Sequence, residues 1–171
     1  MAKQQPFSVN MGRLDPYKSY AFLVFIGTGT TPVAGVSKVT ALKRSSDVIE
    51  HKEGGNAIIR KGIGRMKYEP ITLEQGVTHD ETFAAWADAV QVLDKGAPQT
   101  SLKNAYQDLA IVLCNEARQP VLRYLVYRAW VSEFQALPDL DAGTNAVAIQ
   151  HIKLENHGWA RDSSLNEPKE L

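Results

Sequence analysis

The run Ala21-Phe22-Leu23-Val24-Phe25-Ile26 constrains this chain more than any other feature. It is strand length, well short of the roughly 18–20 apolar residues that a membrane span needs. Read at a period of two, the strand Tyr17 to Ile26 is apolar on both faces. Tyr20, Phe22, Val24 and Ile26 lie on one face, and Ala21, Leu23 and Phe25 on the other. A strand of this kind must be covered on both sides, so the fold needs more than one packed layer.

The rest of the chain supplies partners for it. Gly27 to Pro32 reads as a turn and Val33 to Leu42 as a strand of small and β-branched residues. Asp47 to Lys52 reads as a strand entering a hairpin tip at Gly54-Gly55, with Ala57 to Arg60 returning. Lys61 to Arg65 reads as a basic loop. Glu69 to Gln75 alternates, with Ile71 and Leu73 on its buried face. Gln107 to Cys114, Val121 to Val131 and Asn145 to Glu155 read as three further strands, and 97–105 as a polar linker.

One helix is expected, from Asp80 to Leu93. Phe83, Trp86, Ala87, Val90 and Leu93 make a single apolar stripe. Thr78 is the expected N-cap with Glu81 as its capping-box partner, and Lys95-Gly96 closes the C-terminus. About seven or eight strands and one helix imply a mainly β fold, a barrel or sandwich with the helix packed on it. A polar arm (1–16) and a polar tail (156–171) flank this single domain.

Nothing in the residues asks for catalysis. His51, His79, His151 and His157 are scattered, with no HxxxH pair and no cysteine cluster. Gly62 and Gly64 lack the third glycine of a dinucleotide loop, and no P-loop or GxSxG string occurs. Cys114, the single cysteine, excludes an internal disulfide and sits in an apolar run as a buried thiol. Arg123, Tyr124, Tyr127, Arg128 and Trp130 share one strand, a pattern that can bind single-stranded nucleic acid. The charge balance favours core packing instead: 19 Lys and Arg meet 19 Asp and Glu, a formal net charge of zero. No cofactor, no metal, no membrane anchor and no sequence-specific nucleic-acid binding is expected. The first ten residues contain no apolar signal core, so synthesis in the cytoplasm is expected.

Several strings occur together in order: Val33-Ala34-Gly35-Val36-Ser37-Lys38-Val39, then Ile49-Glu50-His51-Lys52-Glu53-Gly54-Gly55, then Lys67 to Asp80 and the helix with Phe83 and Trp86. Gly158-Trp159-x-Arg161-Asp162 follows near the end. From Asp15 to Asp162 the chain resembles the phage tail-tube family, the inner tube of contractile tails and of extracellular injection systems.

The resemblance implies a β-barrel of two packed antiparallel sheets with a flanking helix, similar to the hemolysin-coregulated protein. It implies hexameric rings of this chain stacked into a hollow tube, with neighbouring sheets joined around the lumen. The implied partners are a surrounding sheath, baseplate and spike proteins, a terminator and a lumen cargo. A hairpin matching Asp47 to Lys61 would reach a neighbouring subunit or ring, with Ile49, Glu50, His51, Lys52, Glu53, Gly54, Gly55, Asn56, Ile58, Ile59 and Lys61 as its contact residues. Its return, Asn56 to Arg60, is more apolar than the family pattern. The polar alternates Ser37, Lys38 and Thr40 are candidates for the lumen wall. A different class, a monomeric β-barrel that binds a peptide or small ligand, stands as the alternative.

Overall fold

The computed structural model describes residues 10, 12, 13, 15–52, 54, 55, 58–94 and 102–169. The expected closing residues Lys95 and Gly96, and the hairpin-tip residues Glu53, Asn56 and Ala57, lie outside them. The elements run β1 (Phe22–Ile26), β2 (Val36–Val39), β3 (Arg44–His51), β4 (Arg60–Tyr68), β5 (Ile71–Gly76), α1 (Thr82–Asp94), α2 (Leu102–Ala105), β6 (Gln107–Cys114), β7 (Pro120–Gln135), β8 (Ile149–Glu155) and β9 (Trp159–Arg161).

Seven strands form one antiparallel path in the order β1-β6-β7-β8-β5-β2, with β9 paired to β7. The long β7 belongs to two layers. Up to Ala129 it pairs with β6, and with β9 at 124–126; from Trp130 it pairs with β8. Arg128 marks the change, with a left-handed φ of 47° and its N–H donated to Asp108 Oδ1 at 2.7 Å. A non-glycine residue in that region is strained unless the surroundings hold it, and here the carboxylate does.

The two layers face each other across one core. Val24, Leu109 and Val126 come from one side, and Ile71, Leu73, Ile152 and Leu154 from the other, all buried. Phe83 and Trp86 of α1 complete it. The class is therefore the expected one, mainly β with two packed antiparallel layers and a flanking helix. The barrel is not closed, because β1 and β2 end the path on opposite sides. The Val33 N–H donates to the Val24 carbonyl at 2.7 Å, linking the approach to β2 with β1.

Five local expectations are corrected. Residues Lys61 to Arg65 are not a loop but lie in β4, so the hairpin runs from Arg44 to Tyr68. Ile58 and Ile59, read as part of the returning strand, precede it. The described end of the linker, 102–105, is the helical turn α2, and the tail contains β9. The cap of α1 is Asp80 rather than Thr78: its Oδ1 accepts the Thr82 N–H at 3.0 Å and the Thr82 hydroxyl at 2.5 Å. Thr78 Oγ1 accepts the Asp80 N–H instead, at 3.1 Å.

Donation from the Thr82 hydroxyl, then from its N–H, holds the Asp80 carboxyl below the usual carboxylate range. Asp80→Ala is expected to cost about 1 kcal/mol at neutral pH. A lowered native pKa gives stability that is present above the unfolded value near ~4 and lost as pH falls through the folded one. The gap between wild type and variant in thermal unfolding therefore narrows in acid.

Candidate functional site

β3 and β4 pair only with each other among the described strands, as a two-stranded sheet outside the seven-stranded path. No described residue of this hairpin belongs to the core cluster. Register assigns its two faces. Ser46 with Met66, Val48 with Ile63, and Glu50 with Lys61 share one face; Ser45 with Lys67, Ile49 with Gly62, and His51 with Arg60 share the other. The first face is apolar at its centre and open to solvent: Val48 is 61% exposed, Ile63 88% and Met66 57%. Ile49 and Ile58 are exposed as well. Unpaired edges and apolar faces of this kind favour association. Lys61 Nζ stands 3.9 Å from Glu50 Oε1, a solvent-exposed pair that contributes little to stability.

The bulge lies on β4. Between the pairs Ser46–Met66 and Val48–Ile63, β3 has Asp47 alone while β4 has Gly64 and Arg65. A Cβ on Gly64 would stand 2.7 Å from the Asp47 carbonyl oxygen and 2.9 Å from Asp47 Cβ. Gly64→Val should distort the hairpin while the core stays intact. The expected result is a melting temperature within about 2 °C of wild type and impaired self-association by light scattering.

The neck of the hairpin is fastened to the body. Lys43 carbonyl accepts the Glu69 N–H at 2.9 Å, and Ser45 Oγ donates to Glu69 Oε1 at 3.1 Å. The Tyr68 ring meets Trp159 edge-on at 6.2 Å, Tyr124 meets it from β7 at 6.0 Å, and the Arg44 guanidinium lies 5.8 Å from the Trp159 ring. Gly158 makes room for this. Its φ is 135°, and a Cβ there would lie 3.2 Å from the Tyr68 ring. Asp162 then ion-pairs with Arg123 at 3.3 Å and closes a turn on Ser164. The Gly158-Trp159-x-Arg161-Asp162 string is thus the clamp on the hairpin neck.

Sequence reasoning placed Ile49, Glu50, His51, Lys52, Gly54, Gly55, Ile58, Ile59 and Lys61 on this hairpin, and all lie on it or at its tip. It did not single out Val48, Ile63 or Met66, and it had Tyr68 and Trp159 only as parts of ordered strings, not as a clamp with Arg44. The expected lumen candidates sit on or just after the edge strand β2. Ser37 Oγ donates to the Glu74 carbonyl at 3.2 Å, and Lys38 Nζ pairs with Glu74 Oε1 at 2.8 Å. Thr40 Oγ1 accepts the Thr72 N–H at 2.8 Å and is half-buried.

Several of the groups with chemical potential are engaged by neighbours, while Tyr127, His51 and His79 are exposed. Arg123 pairs with Asp162, Tyr124 packs on Trp159, and Arg128 lies over Tyr106 at 4.8 Å. His151 Nε2 is 3.3 Å from Glu133, and His157 stacks edge-on against Tyr106. Burial pushes the Cys114 thiol up, so it stays protonated. Among the described residues no group of three or more His, Cys, Asp or Glu side chains is placed to hold a metal.

Residues 18–160 match the family described as T4-like virus tail tube protein gp19. The chain belongs to this tail tube family. It is a structural tube subunit and not an enzyme. Among solved structures it is similar to a chain of the sheath–tube complex of an extracellular contractile injection system (PVC) in the extended state. That likeness has a TM-score of 0.72 at 24% identity, over 91% of this chain and 97% of that one. A chain of the anti-feeding prophage baseplate gives 0.70 at 24% identity, over 86% and 95%. A chain of the PVC sheath/tube terminator gives 0.71 at 25%, over 87% and 98%. At these identities the likeness speaks for the fold. No curated protein sequence matches the chain.

Proposed function

We propose that this subunit forms hexameric rings that stack into a hollow tube, and that the β3–β4 hairpin carries the contact between subunits. The observation behind this reading is the hairpin itself: an arm clamped at its neck whose apolar face is exposed, in a chain of the tail tube family. Its function is mechanical, as conduit and rod. The open edges β1 and β2 suit joining to neighbouring copies around the lumen, since heterologous contacts close into rings by rotation and stack into filaments by translation. Ser37 and Lys38, exposed on β2 near that edge, with Thr40 just beyond, remain the proposed lumen wall. A sheath would surround the tube, baseplate, spike and terminator proteins would sit at its ends, and a cargo would travel inside. Synthesis would be cytoplasmic, before assembly into a phage-tail-like particle.

Negative-stain microscopy of the purified chain, alone and with its sheath and baseplate proteins, tests this. Rings and tubes are the expected result. A chain that stays monomeric at high concentration, with or without those proteins, would overturn the reading.

A further inference from the structure

Charge along this chain is segregated, although its sum is zero. The 26 residues from Lys43 to Tyr68 hold seven Lys or Arg and three Asp or Glu, a formal +4 (7 minus 3). The remaining residues hold 12 basic against 16 acidic, a formal −4. The next 26 residues, Glu69 to Asp94, hold six carboxylates and no Lys or Arg. The hairpin, with Lys43 at its neck, is therefore a cationic arm with an apolar face, and the β5–α1 region that follows it is anionic.

The body also offers a surface of matching character. A groove of about 340 Å³ runs between α1 and the second half of β7. Ala87, Val90 and Phe134, all partly buried, form its apolar floor, and the exposed carboxylates Asp88 and Glu133 stand on its rim, Glu133 also lying 3.3 Å from His151 Nε2. An apolar floor between two carboxylates complements an arm that presents Val48, Ile63 and Met66 together with Lys61 and Arg65, both exposed. Charge arranged in this way sets the partner and the register of a contact more than its affinity.

We propose that the α1–β7 groove is the receptor for the hairpin of a second copy of this chain. This rests on the reading that the hairpin docks on another subunit, and it names where. The contact is heterologous, arm into groove, so each copy both gives and receives. Such a contact propagates rather than ending in a closed dimer.

The test is a charge swap in the full chain. Asp88→Lys with Glu133→Lys, and separately Lys61→Glu with Arg65→Glu, should each reduce tube formation at least about tenfold. The quadruple variant, with both ends reversed, should recover it. A second readout does not depend on these changes: with Gln91, exposed on α1 where it lines the groove, Ile63→Cys combined with Gln91→Cys should give disulfide-linked ladders on oxidation, while either single variant gives none. The buried Cys114 does not compete. Wild-type assembly by Asp88→Lys/Glu133→Lys, a quadruple variant no better than its parents, or no ladder from the double-cysteine chain would each overturn the proposal. If those results came while removal of the hairpin still abolished tubes, only the receptor would be wrong. Tubes that survive removal of the hairpin would remove the reading beneath it.

Discussion

Replacing Trp86 by alanine is expected to destabilise the unassembled subunit by about 3–5 kcal/mol. Trp86 is 2% exposed in the centre of the core cluster. Its loss removes a large apolar surface and leaves a cavity that the two β layers cannot collapse onto, because their hydrogen-bond ladders hold them apart. The indole also makes a polar contact. Its N–H donates to the Ala105 carbonyl at 2.9 Å in a buried setting, tying α2 to α1. Without it, that carbonyl loses a buried partner. For a chain of this size each kcal/mol lowers the melting temperature by roughly 2–4 °C, so a fall on the order of 6–20 °C is expected. Trp86→Phe keeps most of the packing and should fall between. Urea denaturation of the monomeric form measures both. A loss below about 1 kcal/mol for the alanine variant would show that this side chain does not organise the core.

The second large effect concerns assembly and should leave the fold alone. Residues 47–65 can be removed and Ser46 joined to Met66 by Asn-Gly, since those two residues are cross-strand partners and a two-residue loop suits such a pair. The truncation keeps Arg44, Tyr68 and the Trp159 clamp, and removes Val48, Ile63 and the cations at the far end. The core contains none of the described residues in the deleted stretch, so the melting temperature should stay within about 4 °C of wild type. Tube growth should disappear, seen as loss of filaments by negative stain and of large species in sedimentation. Tubes of ordinary length from this chain would refute the role given to the hairpin.

These two predictions also separate what was legible in the residues from what was not. The helix stripe was legible because its period is local. Phe83 and Trp86 recur at helical spacing, and both are buried in the core. Strand β6 was found with its bounds, Gln107 to Cys114, because an apolar run ends there at Asn115. β4 was misread because Gly62 and Gly64 flank Ile63, and glycine in a strand weakens the pattern by which strands are recognised. Its actual use is spatial: Gly64 lets β4 bulge against Asp47. The helix cap moved from Thr78 to Asp80 because both have capping chemistry and only the backbone geometry chooses between them.

The exposed face Val48, Ile63, Met66 was hidden for the same reason, since it exists only once β3 and β4 are in register. The clamp is a longer-range case. Trp159 stood out in the Gly158-Trp159-x-Arg161-Asp162 string, yet its partners Arg44, Tyr68 and Tyr124 come from distant parts of the chain. No periodicity links them.

By itself, then, the amino-acid sequence determined a first strand ending at Ile26, the amphipathic helix, the β-rich class and the tail tube family, because each follows from local pattern or ordered strings. The expected start at Tyr17 and cover on both faces of that strand are not met, since it begins at Phe22, lies at the edge and leaves Leu23 40% exposed. Only the tertiary structure decided that β7 serves two layers, that the hairpin extends to Tyr68 and is clamped by Trp159, and that a cationic arm and an acidic groove occupy different parts of one subunit. Those features depend on contacts between residues far apart in the chain, and such contacts are settled by how layers pack around a common core, not by the order of residues along any one strand.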